Sequence, residues 1–180
     1  MPRQHSDSQE FSRFVEADSV GTHRMERRIS ANPEERAALA KRFDLLGIDR
    51  LEAVFSLKRA GGGVIHIQGE IEAAVTQACV VTLAPVPAKI AERFSADFAD
   101  EERRRPAETD LDFEADDPPE PIRNGHIDLG ELAAEQLSLA LDPYPRAPGA
   151  AIPAEYSPDP EEEQEPDRPV NPFSILKKTQ

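Results

Sequence analysis

The residues that decide the fold are 50–98, which read RLEAVFSLKRAGGGVIHIQGEIEAAVTQACVVTLAPVPAKIAERFSADF. Apolar residues recur largely at every second position in residues 51–57 and again in residues 64–75. Because side chains of a strand alternate between its two faces, this pattern predicts two half-buried strands. Gly61, Gly62 and Gly63 separate the two runs and supply the positive φ angles that a hairpin connection needs. We therefore predict a β-hairpin.

A third run of alternating residues follows the hairpin. One side of this run carries Ile90, Phe94, Ala96 and Phe98, and the other carries Arg93, Ser95 and Asp97. Pro85 and Pro87 precede the run, and proline cannot donate a hydrogen bond to a neighbouring strand. We predict at least three antiparallel strands that share a buried face, with a bulge or an edge position at the two prolines.

The residues before the hairpin predict two further strands and a helix. Residues 11–15 are read as the start of a first strand. Residues 22–30 alternate weakly, so that a second strand would turn Met25, Arg27 and Ile29 to one face and Arg24, Glu26 and Arg28 to the other. Asn32-Pro33-Glu34-Glu35 is a strong helix start, with an amide cap, proline at the first helical position and two carboxylates in the first turn. We predict that this helix runs to residue 45 or 46 and that Gly47 ends it.

A second helix is predicted after an acidic gap. Asp128 and Glu131 have the spacing of a capping box, and apolar residues then follow helical spacing as far as Leu141. Pro143 and Pro145 stop the pattern. The fold class is therefore α+β, with a mainly antiparallel sheet of about five or six strands and two packed helices.

Composition divides the chain into an ordered domain and polar segments. We predict a disordered N-terminus at residues 1–9, a single domain at 10–145 with a mobile acidic loop at 100–121, and a proline-rich acidic tail at 146–180. The net charge of −14 lies almost entirely in the last part: residues 100–180 carry 8 Lys and Arg against 21 Asp and Glu. No run of apolar residues is long enough for a signal peptide or a membrane span. We expect a cytoplasmic protein that has no membrane partner.

The sequence predicts no enzyme and no cofactor. It lacks a Walker loop, a Gly-x-Gly-x-x-Gly motif and a Gly-x-Ser-x-Gly motif, and no two of its four histidines have metal-ligand spacing. His66 is expected on the surface of a strand. The acidic pairs lie in segments that show no sign of burial, whereas a catalytic carboxylate needs a perturbing environment.

Three blocks together resemble the YceD family, a bacterial and plastid family linked to the accumulation of large-subunit ribosomal RNA. The first is residues 69–86 (GEIEAAVTQACVVTLAPV), similar to the family's strand that ends in a cysteine. The second is residues 127–141 (IDLGELAAEQLSLAL), similar to its helix, and the third is the closing motif at residues 171–176 (NPFSIL). The resemblance implies a factor in ribosome biogenesis whose partner is precursor large-subunit rRNA or a pre-ribosomal protein–RNA particle.

The chain departs from the family at its cysteines. Some members carry a second cysteine three positions after the first and another cysteine group after the helix, which implies a metal site. Here Thr82 stands at the first of these places, and residues 145–149 (PRAPG) occupy the second. We therefore predict no zinc, and we read Cys79 as a small structural residue at a strand end in preference to a reactive thiol.

The candidate site residues are local clusters of positive charge and an apolar C-terminal motif. Phosphate binding rewards clustered Lys and Arg, and the best-placed candidates are Arg24, Arg27, Arg28, Lys58 and Arg59. No aromatic residue lies among them, which argues against sequence-specific recognition of single-stranded RNA.

An alternative function is an acidic adaptor that captures a basic partner, such as a ribosomal protein. Its contacts would come from the acidic loop and from a C-terminal docking motif formed by Phe173, Ile175 and Leu176. The motif would then act as a docking peptide; with equal weight, it would instead fold back on the domain.

Overall fold

Two sheets and two α-helices make up the part of the chain described by a computed structural model, residues 10–100 and 118–151. The helices are α1 (Pro33–Arg42) and α2 (Leu129–Ala140). The strands are β1 (Phe14–Glu16), β2 (Met25–Ser30), β3 (Gly47–Arg59), β4 (Ile65–Ala78), β5 (Pro85–Ala99), β6 (Glu120–Pro121) and β7 (His126–Asp128). The chain divides into one unit at Met1–Ala147 and a second at Pro148–Gln180, of which residues 148–151 are described.

The main sheet has five strands in the order β2-β3-β4-β5-β6. The pairs from β2 to β5 are antiparallel, and β6 joins β5 in parallel over two residue pairs. A second sheet consists of β1 and β7. The predicted α+β class, with its mainly antiparallel sheet and two helices, is confirmed. The glycine turn between β3 and β4 is also as predicted, since Gly62 and Gly63 have φ of 73° and 80°.

One face of the main sheet is buried and the other faces solvent. The buried face carries the alternate residues of β3 and β4, and α1 packs on β3 while α2 packs on β4 and β5. The largest fully buried side chains here are Leu51, Phe55, Leu57, Ile65, Ile67 and Ile71. We call the opposite, solvent-exposed face of β2–β5 the outer face. The pairing register places Arg28, Val54, Glu70 and Arg93 in one row across it.

The start of α1 is as predicted, but its end is earlier. Asn32 Oδ1 accepts from Glu35 N–H at 2.9 Å, and Glu35 Oε2 accepts from Asn32 N–H at 2.8 Å, which completes a capping box. The helix ends at Arg42 instead of residue 45 or 46. The reason is a left-handed residue, Asp44 (φ 54°), after which Leu45 N–H donates to Ala40 O at 2.8 Å. This is the Schellman arrangement, with an aspartate where we expected Gly47 to act.

Asp128 caps α2 and also holds the N-terminal segment. Its Oδ1 accepts from the N–H groups of Gly130 at 2.9 Å and Glu131 at 3.3 Å, and from Arg13 N–H at 2.7 Å. The reciprocal half of the predicted capping box is replaced by an ion pair, in which Glu131 Oε1 lies 2.6 Å from Arg42 Nη2. Asp128 therefore joins β1 and α2, and Glu131 joins α2 and α1.

Several predicted segments lie elsewhere or outside the described residues. Residues 1–9, 101–117 and 152–180 are outside, and with them the predicted N-terminus, most of the acidic loop and most of the tail. The end of the predicted loop belongs to β6, and the strand β7 was not predicted.

Pro85 and Pro87 lie inside β5, and among the described residues β6 pairs with β5 only at Phe98 and Ala99. They are thus on an edge, as one of the two predicted alternatives had it. Within the described residues, no helix is long and apolar enough to cross a membrane.

Gly69 in β4 makes room for the ring of Phe94 in β5. A Cβ at position 69 would lie 2.2–2.8 Å from three atoms of that ring, which in turn packs edge-to-face on Phe55 at 5.9 Å between centroids. We predict that Gly69→Ala lowers the free energy of unfolding by about 1–3 kcal/mol, because the Phe94 ring must leave its position in the buried face.

Urea unfolding of the two variants Gly69→Ala and Gly47→Ala checks this prediction. Gly47 lies at the start of β3 and has nothing within 4 Å of the position of a Cβ, so its alanine variant should unfold close to the wild type. Equal stability of the two variants would show that Phe94 does not need the space above Gly69.

Candidate functional site

The outer face is a solvent-exposed surface on which charges of both signs lie in rows. In one row His66 Nδ1 lies 2.6 Å from Asp97 Oδ1, and Lys58 is opposite His66 on the neighbouring strand. The expected surface position of His66 is therefore confirmed. In another row Arg93 Nε lies 3.4 Å from Glu70 Oε2. The outer face is thus mixed in charge.

Some cations of the outer face are already paired. Arg50 Nη2 lies 2.9 Å from carboxylate oxygens of both Glu52 and Glu72. The hydrogen bond from Arg50 lowers the pKa of the Glu52 carboxyl; burial opposes this shift, and the charges of Arg50 and Arg28 contribute to it. Arg50 is therefore committed to two carboxylates of its own sheet, and it is a weak candidate for an external anion.

Arg24, Arg28 and Lys58 form the cationic part of the outer face that stays open. Arg28 is opposite Val54 in the register, Lys58 is opposite His66, and Arg24 directly precedes β2 on the same alternation. All three side chains are exposed, and among the described residues none of them makes an ion pair within 4.0 Å. These three predicted residues are brought to one surface.

Arg27 lies on the other side of β2. It is opposite Phe55, whose ring belongs to the buried face, whereas the next residue, Arg28, is opposite Val54. Because β2 is an edge strand, the Arg27 side chain is still exposed, and its Nη1 donates to Glu26 O at 3.1 Å. The structure therefore separates Arg27 from Arg24, Arg28 and Lys58.

Arg59 has a structural position. Its Nε donates to Val20 O at 2.9 Å, and its Nη2 donates to Ala17 O. Its main-chain N–H also donates to Gly21 O at 2.8 Å. The guanidinium thus holds the connection between β1 and β2 against the end of β3, and we leave Arg59 out of the proposed contact surface.

The structure adds a groove and one lysine that the sequence did not single out. The groove encloses about 560 Å³ on the outer face and is lined by Arg24, Glu26, Ser56, Gln68, Glu70 and Arg93 among others. Lys89 of β5 is opposite Ala74, so it shares the outer face, and it is exposed. The alternation of β5 places Lys89 and Arg93 on the same face of that strand, but only the register between strands shows that this is the face that carries Arg28. The C-terminal motif of Phe173, Ile175 and Leu176 lies outside the described residues.

Aromatic side chains do not contribute to the described outer face. Phe55, Phe94 and Phe98 occur in β3 and β5 at positions that face the buried side of the sheet, although Phe55 and Phe94 are also among the residues at the floor of the outer-face groove. A face of this kind can contact phosphates through Arg and Lys, but it offers no ring on which an unpaired base would stack.

A second cluster surrounds Cys79, which is buried directly after β4. Its sulfur accepts from the N–H groups of Thr82 at 3.4 Å and Ala147 at 3.3 Å, and Val80 N–H donates to Pro145 O at 2.9 Å. The fold thus brings together residues 79–84 and 145–147. These hydrogen bonds, chiefly the one from Ala147 and then those from Thr82, lower the pKa of the Cys79 thiol to about 6, although burial acts in the opposite direction.

The residues around Cys79 do not fit a zinc ion. A structural zinc site uses four nitrogen or sulfur ligands, and this cluster contains one thiol, the hydroxyl of Thr82 and main-chain N–H groups that point to the sulfur. Within the described part of the chain, no group of three or more His, Cys, Asp and Glu side chains is placed to hold a metal ion.

One family of known proteins matches this chain. Residues 67–179 match the family model described as large ribosomal RNA subunit accumulation protein YceD. The matched residues cover more than half of the chain, and they include most of β4, all of β5 and α2, and the Cys79 cluster. The chain belongs to the YceD family. No curated protein and no solved structure matches the chain in the other two comparisons.

Membership of the YceD family links the chain to the accumulation of large-subunit ribosomal RNA. The matched region begins within β4, so Arg24, β2 with Arg28 and β3 with Lys58 all precede it. The family match therefore supports a role in the accumulation of large-subunit rRNA, whereas the contact surface rests on the geometry of this YceD chain.

The Cys79 cluster predicts a titration that is displaced from that of a free thiol. We expect the ultraviolet absorbance of the thiolate to appear with a midpoint near pH 6 in the folded protein. An unfolded cysteine titrates at about 8.5, so the hydrogen bonds to the thiolate contribute stability that is present above about pH 8.5 and is lost as the pH falls through about 6.

The measurement is direct because Cys79 is the only cysteine. The Cys79→Ser variant is the control and should show no such transition. Urea unfolding gives the free energy of unfolding of the wild type and of Cys79→Ser. The wild-type value should increase relative to that of Cys79→Ser as the pH rises from about 6 to about 8.5. A midpoint at or above that of a free thiol would contradict the assigned hydrogen bonds.

Proposed function

We propose that this YceD-family chain acts without catalysis and supports the accumulation of large-subunit rRNA by binding the RNA, or its precursor, on the outer face. The observation that carries the proposal is the placement of Arg24, Arg28 and Lys58 on one solvent-exposed surface with their charges open. Lys89 extends the same surface across β5.

The chemistry of the outer face favours contact with the backbone of structured RNA. Lys and Arg pair with phosphate oxygens, and a sheet surface without aromatic residues cannot hold splayed bases. Polar side chains in the outer-face groove, such as Ser56, Gln68 and Ser95, can donate hydrogen bonds to phosphate or to ribose hydroxyls. The proposed ligand is therefore a double-stranded or folded segment of rRNA, read by shape.

The net charge of the chain does not exclude this mode. Charges separated by more than a Debye length of about 8 Å at physiological ionic strength are largely screened from each other. The exposed cations Arg24, Arg28, Lys58 and Lys89 lie on the outer face itself, next to carboxylates such as Glu70. Local cations then decide where RNA approaches, and carboxylates such as Glu26 limit how many phosphates are bound.

The non-enzymatic part of the proposal rests on the chemistry of the outer face. Its histidine is paired with an exposed aspartate, and its carboxylates are exposed or paired with arginines. The adaptor alternative used the acidic loop and the C-terminal motif. The motif and residues 101–117 of the loop lie outside the described residues, so that alternative stays a prediction from the sequence.

Two neighbouring residues of β2 test the proposed face. Arg28→Gln removes a cation from the outer face, and Arg27→Gln removes one from the opposite side of the same strand. We predict that Arg28→Gln weakens binding to a large-subunit rRNA fragment and lowers the slope of log affinity against log salt concentration by about 0.7–0.9, the value for one phosphate contact. Arg27→Gln should leave both quantities near those of the wild type.

Filter binding or fluorescence anisotropy over a series of salt concentrations gives both quantities. Because the two variants have the same net charge, a general effect of charge would change both alike and would contradict the assignment to the outer face. Equal melting temperatures establish that neither variant alters the fold. If neither variant changes the affinity while the wild type binds the fragment, the outer face is not the RNA surface.

A further inference from the structure

A second groove lies between α2, the β6–β7 segment and β1. It encloses about 560 Å³ and receives no residue from β2, β3 or β4, so it is distinct from the outer face. Its lining includes three glutamates, Glu120, Glu131 and Glu135, which we call the acidic lining, and three apolar residues, Phe14, Phe98 and Leu132, which we call the apolar lining. We call it the α2 groove.

The acidic lining of the α2 groove is only partly neutralised. Glu131 is bonded to Arg42, with distances of 2.6 and 3.0 Å between guanidinium nitrogens and carboxylate oxygens. Glu120 and Glu135 form no ion pair within 4.0 Å among the described residues. Burial raises the pKa of the Glu135 carboxyl, and the charges of Glu120 and Glu131 raise it further, against the opposing charges of Arg42 and Arg123. These carboxylates repel one another in the absence of a further cation.

The apolar lining of the α2 groove includes an aromatic ring that is exposed to solvent. Phe14 is 65% exposed, although its strand neighbour Val15 is buried. The ring contacts the imidazole of His126 edge-to-face, with 6.1 Å between centroids. Phe98 and Leu132 are both buried and line the same groove. An exposed aromatic ring beside carboxylates suits a group that is both flat and positively charged.

A buried carboxylate oxygen of the groove also lacks a partner. Asp128 lines the groove, and its Oδ1 accepts three main-chain N–H groups, whereas its Oδ2 is inaccessible to solvent and has no hydrogen-bond partner among the described residues. A ligand in the groove cannot reach that oxygen, so Asp128 contributes negative charge to the groove and no hydrogen-bond acceptor of its own.

We propose that the α2 groove binds an arginine-bearing segment of a basic protein partner. Charge complementarity selects a cation, because four carboxylates and one arginine, Arg123, are among the described residues that line the groove, and Glu120 and Glu135 are not paired within the described part of the chain. A guanidinium pairs with carboxylates through two parallel hydrogen bonds and stacks on aromatic faces, and both partners are present here. The apolar lining accommodates the methylene groups of the arginine side chain or an adjacent apolar residue of the partner.

The same arrangement opposes a nucleic acid. Phosphates would meet Glu120 and Glu135, which form no ion pair among the described residues, as well as Glu131, which is already paired with Arg42. A partner that binds here therefore contributes protein side chains, and it can be bound while RNA occupies the outer face. The YceD chain would then hold a basic protein and rRNA on separate surfaces.

The test uses the full chain and a labelled peptide of sequence Gly-Arg-Leu-Arg-Leu-Arg-Gly. The groove variant is Glu120→Gln with Glu135→Gln, which should weaken peptide binding by about tenfold or more, as expected for the loss of charge-assisted hydrogen bonds. Phe14→Ala should weaken it by about two- to fivefold through the loss of a cation–π contact. Fluorescence anisotropy at physiological ionic strength gives the affinities.

A matched variant separates the groove from the overall acidity of the chain. Glu34→Gln with Glu92→Gln removes the same number of charges from exposed positions in α1 and β5 that do not line the groove. This variant should bind the peptide within about twofold of the wild type. An equal loss in both double variants would show non-specific attraction and would overturn the proposal. Unchanged binding by the groove variant would also overturn it.

A second readout makes the result independent of the RNA proposal. The groove variant should bind the rRNA fragment at least as well as the wild type does, and the peptide should bind equally well to Arg28→Gln. Amide shifts in NMR spectra on adding the peptide should concentrate in β1, β6, β7 and α2. Shifts confined to β2–β5, or competition between peptide and RNA, would place the peptide on the outer face and overturn the assignment to the α2 groove.

Discussion

The pairing register of β3, β4 and β5 is the constraint on which the rest of the structure depends. Side chains alternate strictly along these strands, so a slip of one residue would move the whole buried set to solvent. The Gly61–Gly63 turn fixes the register at one end, and a shift between Ile48 and Arg50 adjusts it at the other. The same register sends Arg28 to the outer face and Arg27 away from it. Stability and the candidate site therefore depend on one geometric choice.

Ion pairs orient α1 relative to α2 and to the segment before β1, and the buried face supplies most of the stability. Arg13 bonds both carboxylate oxygens of Glu35 at 2.8 and 3.0 Å, and this hydrogen bond lowers the pKa of the Glu35 carboxyl. Arg42 joins α1 to α2 through Glu131 in the same way. Both arginine side chains are about one-third exposed, and such pairs contribute about 0.2–1 kcal/mol each. Their main effect is orientation, because a two-pronged pair allows few arrangements of the two elements.

Much of the fold could be predicted from the sequence, because the deciding signals are local. Alternation between residues 50 and 98, the glycine turn and the Asn32 cap each act over a few residues. The end of α1 at Arg42 is local, but it is made by a left-handed Asp44, where the sequence pattern favours a glycine. The strand β7 and the parallel pair of β5 with β6 depend on contacts between distant segments, which no local pattern encodes. The site follows the same rule. Alternation separated Arg27 from Arg28, but the use of the Arg59 guanidinium by Ala17 and Val20 arises only when β1 and β3 are brought together.

The Cys79 cluster connects two distant segments through main-chain groups. The turn after β4 and the segment after α2 are joined by the hydrogen bond from Val80 N–H to Pro145 O, so residues 79–84 and 145–147 come together. In this chain main-chain N–H groups and the Thr82 residue surround the sulfur where a metal ion would need further ligands. Hydrogen bonds to the sulfur then do locally what a cation would do, since they favour the thiolate. The connection between the two segments is made through main-chain N–H groups, so it does not depend on the identity of a second side chain.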